Sequence, residues 1–284
     1  MGRSASGPEN KQSMPRMVIE LDGLSIESVW FGPPPSEAPT IVMMHEGLGS
    51  VSIWRDFPER LAKATRTGVF VFSRIGYGRS SDASLPRPPD YLHREAIEVL
   101  PKILAKIGFQ RGILLGHSDG GSIAAIYAGS VQDHRVRGLV LIEPHFFVED
   151  MNLEAIRQIA IDFETKGIRT RLQRHHNDAD KTFRGWLNMW LDPRFKSFDI
   201  SDELRHIRVP VLIVKGENDP YGSVAQIRLA ENECYCPVES IVIPNAGHAP
   251  HHDQPEQTLE SIASFVNHIL WSHGEADLRK AGRQ

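Results

Sequence analysis

Short apolar runs recur along the chain and alternate with longer stretches in which apolar residues return every three or four positions. Several of the short runs are apolar on both faces, which is typical of strands buried between two layers of helices. Eight strands are predicted, at residues 18–21, 25–30, 40–44, 68–73, 112–115, 136–142, 209–214 and 240–243. The pattern therefore predicts an α/β fold with an eight-stranded, mostly parallel sheet and helices on both faces.

Two of the intervening stretches have clear helical spacing. Residues 254–270 place Leu259, Ile262 and Val266 on one stripe, which predicts an amphipathic helix. Residues 91–107 are also predicted to be helical. Pro101 lies inside this second stretch and removes a backbone donor, so we expect the helix to be kinked or interrupted there.

The alternation of strands and helices stops over residues 147–205, which contain helical and polar stretches and no convincing strand. The segment is too long for a simple connection, and we interpret it as a helical cap over the carboxyl edge of the sheet. We expect the α/β core to comprise 17–146 and 206–272. Residues 1–16 are predicted to be a disordered N-terminal tail, and 273–284 a C-terminal tail.

Composition limits the class of protein. The chain has 284 residues, of which 40% are apolar and 24% charged, with a formal net charge of −4. These values are ordinary for a globular protein and argue against disordered, collagen-like and strongly nucleic-acid-binding chains. No apolar run approaches the roughly 18 residues that span a bilayer, and the N-terminal residues contain no secretory signal. We therefore expect a cytoplasmic protein without membrane or nucleic-acid partners.

The sequence Gly-His-Ser-Asp-Gly at 116–120 follows a predicted strand directly, and a helical stripe follows it. Strand, sharp turn and helix in this order are typical of a nucleophile elbow, in which flanking glycines allow a strained backbone and expose the serine hydroxyl. The amides at the start of the helix favour a developing oxyanion. Ser118 is therefore a candidate nucleophile.

A serine hydroxyl needs a base, and the base needs an anionic partner. Asp219 follows the predicted strand at 209–214, and His248 follows the strand that ends at residue 243. Both would lie at the carboxyl edge of a parallel sheet. The chain order Ser118, Asp219, His248 is that of an α/β-hydrolase catalytic triad.

With these motifs, residues 17–271 resemble the α/β-hydrolase superfamily, and specifically its capped branch of esterases, lactonases and meta-cleavage-product carbon–carbon hydrolases. His45-Glu46-Gly47, the glycine-containing run at 74–80 and Gln254-Pro255-Glu256 are further landmarks of the resemblance. It implies Ser118 as nucleophile, His248 as general base and then acid, and Asp219 as the carboxylate that orients His248.

The resemblance also implies an oxyanion hole, with one departure from the usual pattern. The loop after the third strand usually begins His-Gly, but here Glu46 stands between His45 and Gly47. The amide donor therefore belongs to either Glu46 or Gly47. We favour Gly47, with Asp119 as the second donor. In relatives, the residue matching His45 usually braces this loop by hydrogen bonds.

Candidates for substrate contact are less specific. His117 occupies the variable position of the motif at 116–120, and His45 begins the loop after the third strand. Trp186 and Trp190 form an apolar stripe in the predicted cap. Arg174, within a basic cluster of the cap, could hold a substrate carboxylate, although a solvated helix face is the commoner role. The histidines near position 248 lack the carboxylates and thiolates of a zinc site, so no metal is predicted.

We therefore predict a cofactor-independent serine esterase acting on a small-molecule substrate, as a monomer or homodimer. It would cleave a small carboxylic ester, lactone or thioester through an acyl-enzyme on Ser118. A carbon–carbon hydrolase of the meta-cleavage type shares the same triad and is the first alternative. A non-catalytic ligand-binding protein on this fold is the second.

Overall fold

A computed structural model of the protein describes residues 16–272. The predicted tails at 1–16 and 273–284 lie outside the described residues, except that Arg16 begins the first strand. Along this part of the chain, no helix combines the length and the apolar character needed to cross a membrane.

The sheet has eight strands, which are β1 Arg16–Leu21, β2 Leu24–Phe31, β3 Thr40–Met44, β4 Gly68–Phe72, β5 Gly112–His117, β6 Val136–Ile142, β7 Val211–Gly216 and β8 Val238–Ile243. Their order across the sheet is β1-β2-β4-β3-β5-β6-β7-β8. The pairs β1–β2 and β2–β4 are antiparallel, and all the other pairs are parallel. The predicted eight-stranded, mostly parallel sheet is confirmed.

Eleven α-helices are found in the described residues: α1 Phe57–Thr65, α2 Tyr91–Arg94, α3 Leu100–Lys106, α4 Asp119–Ser130, α5 Asp150–Thr165, α6 Ile168–Leu172, α7 Ala179–Trp190, α8 Ser201–His206, α9 Ala225–Glu233, α10 Pro250–Asp253 and α11 Pro255–Trp271. Short 3₁₀ helices occur at Val51–Trp54 and Pro193–Ser197. Helix α11 corresponds closely to the helix predicted at 254–270.

The central strands are buried on both faces because each face packs against its own layer of helices. Val42 and Leu114 point into a core shared with α3, α4, α8 and α9. Their neighbours Ile41 and Ile113 point to the opposite face, into a core shared with α1 and α11. Strand side chains alternate between faces, so a strand covered on both sides must be apolar throughout, as the sequence is here.

The helical stretch predicted at 91–107 is interrupted before Pro101. A π-helical turn, Glu95–Val99, separates α2 from α3, and Pro101 lies in the first turn of α3. Proline has no amide hydrogen. It is tolerated at the first positions of a helix because amides there have no hydrogen-bond partner within the helix. The chain therefore accommodates Pro101 by widening the preceding turn.

Residues between Phe147 and His206 form helices α5 to α8, and the only strand-like pairing within this part of the chain is a bridge between Phe147 and Asp199. Hydrogen bonds join this helical segment to the loops after β3 and β4. The ring of His176 contacts the amide of Gly78 at 2.9 Å and the carbonyl of Leu48 at 2.9 Å. The segment therefore lies at the carboxyl ends of the parallel strands.

Truncation of Leu114 tests the packing of β5, a central strand of the sheet. We expect Leu114→Ala to lower the free energy of unfolding by about 2–5 kcal/mol, because a fully buried side chain leaves a cavity on truncation. Urea denaturation measures the loss. Ile161→Ala, at a side chain 57% exposed, should change stability by no more than about 0.5 kcal/mol. Equal losses in the two variants would contradict this description of the core.

Candidate active site

Ser118 occupies a sharp bend between β5 and α4. Its φ is 52° and its ψ is −116°, a conformation that costs of order 1–3 kcal/mol for a residue with a side chain. Added Cβ atoms at Gly116 and Gly120 would collide with backbone of Gly120 and Met44, respectively. The Ser118 amide donates to the carbonyl of Ile142 at 2.8 Å, which anchors the bend to the next strand. The bend is therefore the elbow that the sequence predicts, and its glycines are sterically required.

Asp219 and His248 come together at the same edge of the sheet. His248 Nδ1 donates to Asp219 Oδ1 at 2.9 Å, and the amide of Tyr221 donates to the same oxygen at 3.0 Å. Burial by itself raises the pKa of Asp219, but the hydrogen bond and the charge of His248 outweigh it and hold that pKa well below its usual range. Asp219 is therefore ionised and fixes the Nδ1–H tautomer of His248.

Ser118 and His248 line one cavity, but their side chains make no hydrogen bond of 3.5 Å or less to each other in the described structure. The Nε2 atom of His248 is the ring nitrogen left free by the contact with Asp219. Catalytic hydrogen bonds are often long without substrate and shorten when it binds.

A second buried carboxyl group lies beside Asp219. Lys215 Nζ donates to Glu143 at 3.1 Å, and it lies 3.4 Å from Asp219 Oδ2. Burial and the Asp219 carboxylate raise the pKa of Glu143. One oxygen of each carboxyl group and a ring nitrogen of His248 lie within 4.8 Å of one another, which is compatible with metal ligation. The Lys215 ammonium already supplies positive charge between the two carboxyl groups.

The loop after β3 is held by hydrogen bonds to the carbonyl of Glu46. His45 Nδ1 donates to this oxygen at 2.7 Å, and Arg74 donates to it at 2.9 Å. His45 Nε2 accepts the Arg74 amide at 3.0 Å, so both contacts require the neutral Nδ1–H tautomer. The peptide plane is trans, and the amide of Gly47 therefore points away from these groups. Gly47 itself lines the cavity.

Asp119 connects the elbow to three other parts of the chain. Its carboxylate accepts hydrogen bonds from Tyr91 at 2.5 Å, from Trp190 at 3.2 Å and from Arg74 at 3.4 Å. Asp119 and Arg74 are both almost fully buried. Paired buried charges of this kind hold a geometry strongly because removal of either partner leaves the other uncompensated. The start of α4 is therefore tied to the loop after β4 and to the end of α7.

The cavity has a volume of about 180 Å³ and is more apolar than polar. Its apolar and aromatic lining residues are Leu48, Ile156, Ile159, Trp186, Trp190 and Tyr221. Its other lining residues are Glu46, Gly47, Ser118, Asp119, His145, Asn152 and His248. An added Cβ at Gly47 would collide with the indole of Trp186, so the helical segment packs directly on the loop after β3.

Three of the predicted substrate-contact residues lie away from the cavity. His45 is fully buried behind the loop it braces. His117 is also buried, and its Nε2 donates to the carbonyl of His248 at 2.6 Å, so it supports the histidine loop. Arg174 is exposed and does not reach the cavity wall. Their prediction as substrate-contact residues is corrected, whereas Trp186 and Trp190 do line the cavity.

Other groups at the site were missed by the sequence analysis. Glu143 and His145 follow β6 directly, so the rule that polar residues after parallel strands meet at one edge could have found them. Asn152 lies on α5, and its inward direction has no sequence signal, because helical spacing alone does not say which face meets the cavity.

Comparison with known proteins identifies the family of this chain. Residues 41–261 match the Alpha/beta hydrolase family, which is most of the chain. The chain belongs to the α/β-hydrolase family. The predicted superfamily and the prediction of an enzyme are thus confirmed.

Two individual relatives of this α/β hydrolase share about 30% sequence identity with it. It is 28% identical over 260 residues to the pimeloyl-[acyl-carrier protein] methyl ester esterase of Aeromonas salmonicida (strain A449), covering 81% of this chain and 96% of the relative. It is 33% identical over 122 residues to the (lyso)-N-acylphosphatidylethanolamine lipase of Bos taurus, covering 43% of this chain. That match spans only 35% of the lipase.

Among solved structures, the fold resembles that of a membrane phospholipase A described as a bacterial virulence factor. The TM-score is 0.73 at 21% sequence identity, with 90% of this chain and 86% of the other covered. At this level of identity, the similarity concerns the fold alone.

His145 predicts a pH dependence of stability. Burial, and then the charge of His248, lower the pKa of His145 to about 3, against about 6.5 in an unfolded chain. The unfolded state therefore binds an extra proton between these values, and this contribution to stability falls as pH decreases. From pH 7 to pH 5, wild type should lose about 2 kcal/mol more than His145→Gln in urea titrations.

A matched variant provides the control for this prediction. His134→Gln, at an exposed histidine, should follow the pH dependence of wild type. Identical slopes for wild type and His145→Gln would show that His145 gains its proton equally well in the folded state.

Proposed function

We propose that this α/β hydrolase is a cofactor-independent serine hydrolase that cleaves a small carboxylic ester. Ser118 is the nucleophile, His248 the general base and then acid, and Asp219 the group that orients His248. The observation that carries the proposal is the strained elbow at Ser118 in one cavity with a histidine whose Nδ1 is held by a buried carboxylate. Two relatives named for hydrolysis of esters or lipids support it.

The reaction proceeds in two steps. His248 Nε2 takes the proton of the Ser118 hydroxyl as its oxygen attacks the ester carbonyl, and the resulting tetrahedral intermediate expels the alcohol, which receives that proton. Water, deprotonated by His248, then attacks the acyl-enzyme. The acid is released and Ser118 regains its proton.

Two backbone amides are the proposed oxyanion hole. The Glu46 carbonyl is held by His45 and Arg74, which favours the amide of Gly47 as the donor on this loop. The amide of Asp119 is the second donor, since the first amides of a helix have no partner within it. Loss of one such donor typically costs about 3–4 kcal/mol of transition-state stabilisation.

The helical segment at 147–205 is the proposed cap. Trp186 and Trp190 on α7 and Ile156 on α5 form much of the apolar wall opposite Ser118. A cavity of about 180 Å³ lies below the usual range of ligand pockets, roughly 300–1,000 Å³, which favours a small acyl ester over a long-chain lipid. Lactones and thioesters of similar size present the same reacting carbonyl.

Removal of the nucleophile tests the proposal. Ser118→Ala should lower kcat for p-nitrophenyl butyrate by about 10⁴-fold or more, because no acyl-enzyme can form. It should also abolish covalent labelling by a fluorophosphonate probe. Ser130→Ala, at an exposed serine of α4, should leave both readouts unchanged. Wild-type protein that neither labels nor hydrolyses esters would support the non-catalytic alternative, and turnover of a 2-hydroxy-6-oxo-dienoate alone would support carbon–carbon cleavage.

A further inference from the structure

Two buried polar residues line the cavity, and each has one side-chain atom without a hydrogen-bond partner in the described part of the chain. Asn152 is 1% exposed and His145 is 2% exposed. The Oδ1 atom of Asn152 and the Nδ1 atom of His145 are buried and have no hydrogen-bond partner in the described structure. Buried polar atoms are nearly always paired, so unpaired ones in a cavity wall indicate where a ligand supplies the partner.

The two residues reach the cavity from different elements, Asn152 from α5 and His145 from the loop after β6. Asn152, Ile156 and Ile159 line the cavity from one face of α5, at spacings of four and three residues. The ring of His145 stacks against that of His248, with centroids 5.8 Å apart, and meets the edge of Trp190 at 5.4 Å. The carbonyl of His145 accepts the Ser122 hydroxyl at 2.6 Å. The ring of His145 is therefore held beside the proposed general base, and Asn152 lies on the face of α5 that lines the cavity.

The chemistry of these groups limits what they bind. Burial, followed by the charge of His248, lowers the pKa of His145, so its imidazole is neutral at physiological pH. A neutral imidazole offers one donor and one acceptor, and the amide of Asn152 offers both as well. A hydroxyl or carboxamide group of a ligand also donates and accepts. Such a group can form a hydrogen bond with either side chain, whereas an alkyl group leaves both unpaired.

The charge of the cavity limits the substrate further. Its lining residues include no lysine or arginine. The Glu46 carboxylate also lines the cavity, and His117 Nδ1 lies 3.5 Å from it. Burial by itself raises the pKa of Glu46, but the hydrogen bond and the charge of His117 outweigh it and lower that pKa, so Glu46 is ionised. Asp119, in contrast, is compensated by Arg74. A substrate carboxylate would therefore meet the Glu46 carboxylate and no lysine or arginine in the cavity wall.

We propose that the preferred substrate is an uncharged ester bearing a hydroxyl or carboxamide group, which Asn152 and His145 bind, and that Glu46 disfavours esters bearing a carboxylate. This inference rests on the proposed function of Ser118 and adds the chemical class of the substrate. It also distinguishes the site from one for anionic dienoates, which would need a cationic side chain.

Matched pairs of esters test the hydroxyl preference on either side of the scissile bond. On the alcohol side, 2-hydroxyethyl butyrate is compared with propyl butyrate. On the acyl side, p-nitrophenyl 3-hydroxybutyrate is compared with p-nitrophenyl 3-methylbutyrate. In each pair a hydroxyl replaces a methyl group of similar size. Wild type should prefer the hydroxylated member of at least one pair by about tenfold or more in kcat/KM.

The variant Asn152→Leu should remove this preference, mainly through KM for the hydroxylated ester. Ile159→Leu, on the same face of α5, should keep the ratio of the two esters. Because Asn152→Leu replaces an unpaired buried amide with an apolar group of similar size, its urea midpoint should not fall below that of wild type. A preference for the methyl member in both pairs, or a hydroxyl preference that persists in Asn152→Leu, would overturn the inference.

A comparison of p-nitrophenyl hemisuccinate with p-nitrophenyl butyrate tests the effect of a substrate carboxylate. Wild type should disfavour the hemisuccinate, and Glu46→Gln should raise the ratio of hemisuccinate to butyrate kcat/KM by about tenfold. An unchanged ratio would contradict the role of Glu46.

Fluorophosphonate labelling distinguishes failure of the proposed substrate class from failure of the proposed function. Enzyme that labels at Ser118 and hydrolyses esters without these preferences would overturn the substrate class alone. Wild-type protein that neither labels nor hydrolyses any ester would overturn the proposed function itself.

Discussion

The backbone bend at Ser118 is the constraint on which the rest of the site depends. With φ of 52°, it is unfavourable for a residue with a side chain, and it is held because Gly116 and Gly120 allow close approach of the surrounding backbone. The same bend starts α4 beside the end of β5. It therefore sets both the direction of the serine side chain and the position of the first helical amides.

Buried polar groups hold the loops around this bend. Arg74 contacts both the carbonyl of Glu46 and the carboxylate of Asp119, and Trp190 contacts the same carboxylate from the helical segment. These interactions connect the loops after β3 and β4 and the end of α7 to the start of α4. Charged groups withdrawn from water tolerate little displacement, since a lost partner is not replaced by solvent.

The helical segment at 147–205 lines the cavity with side chains that the α/β core does not supply. It covers the cavity with tryptophan and isoleucine side chains and adds the amide of Asn152. Glu46 adds negative charge on the opposite loop. In an α/β hydrolase the reacting groups come from the strand ends, whereas the shape and charge of the cavity come from loops and insertions. In the proposed reaction, selectivity therefore depends on residues outside the proposed triad.

Sequence by itself determined the elements, the sheet and the positions after the strands where Ser118, Asp219 and His248 stand. Each of these follows from local periodicity or from the rule that parallel strands bring their carboxyl ends to one edge. Only the tertiary structure decided that His45 and His117 brace loops, that Arg174 points to solvent and that Asn152 and His145 face the cavity. The direction of a side chain depends on how helices and loops pack against one another, and those contacts join residues far apart in the chain.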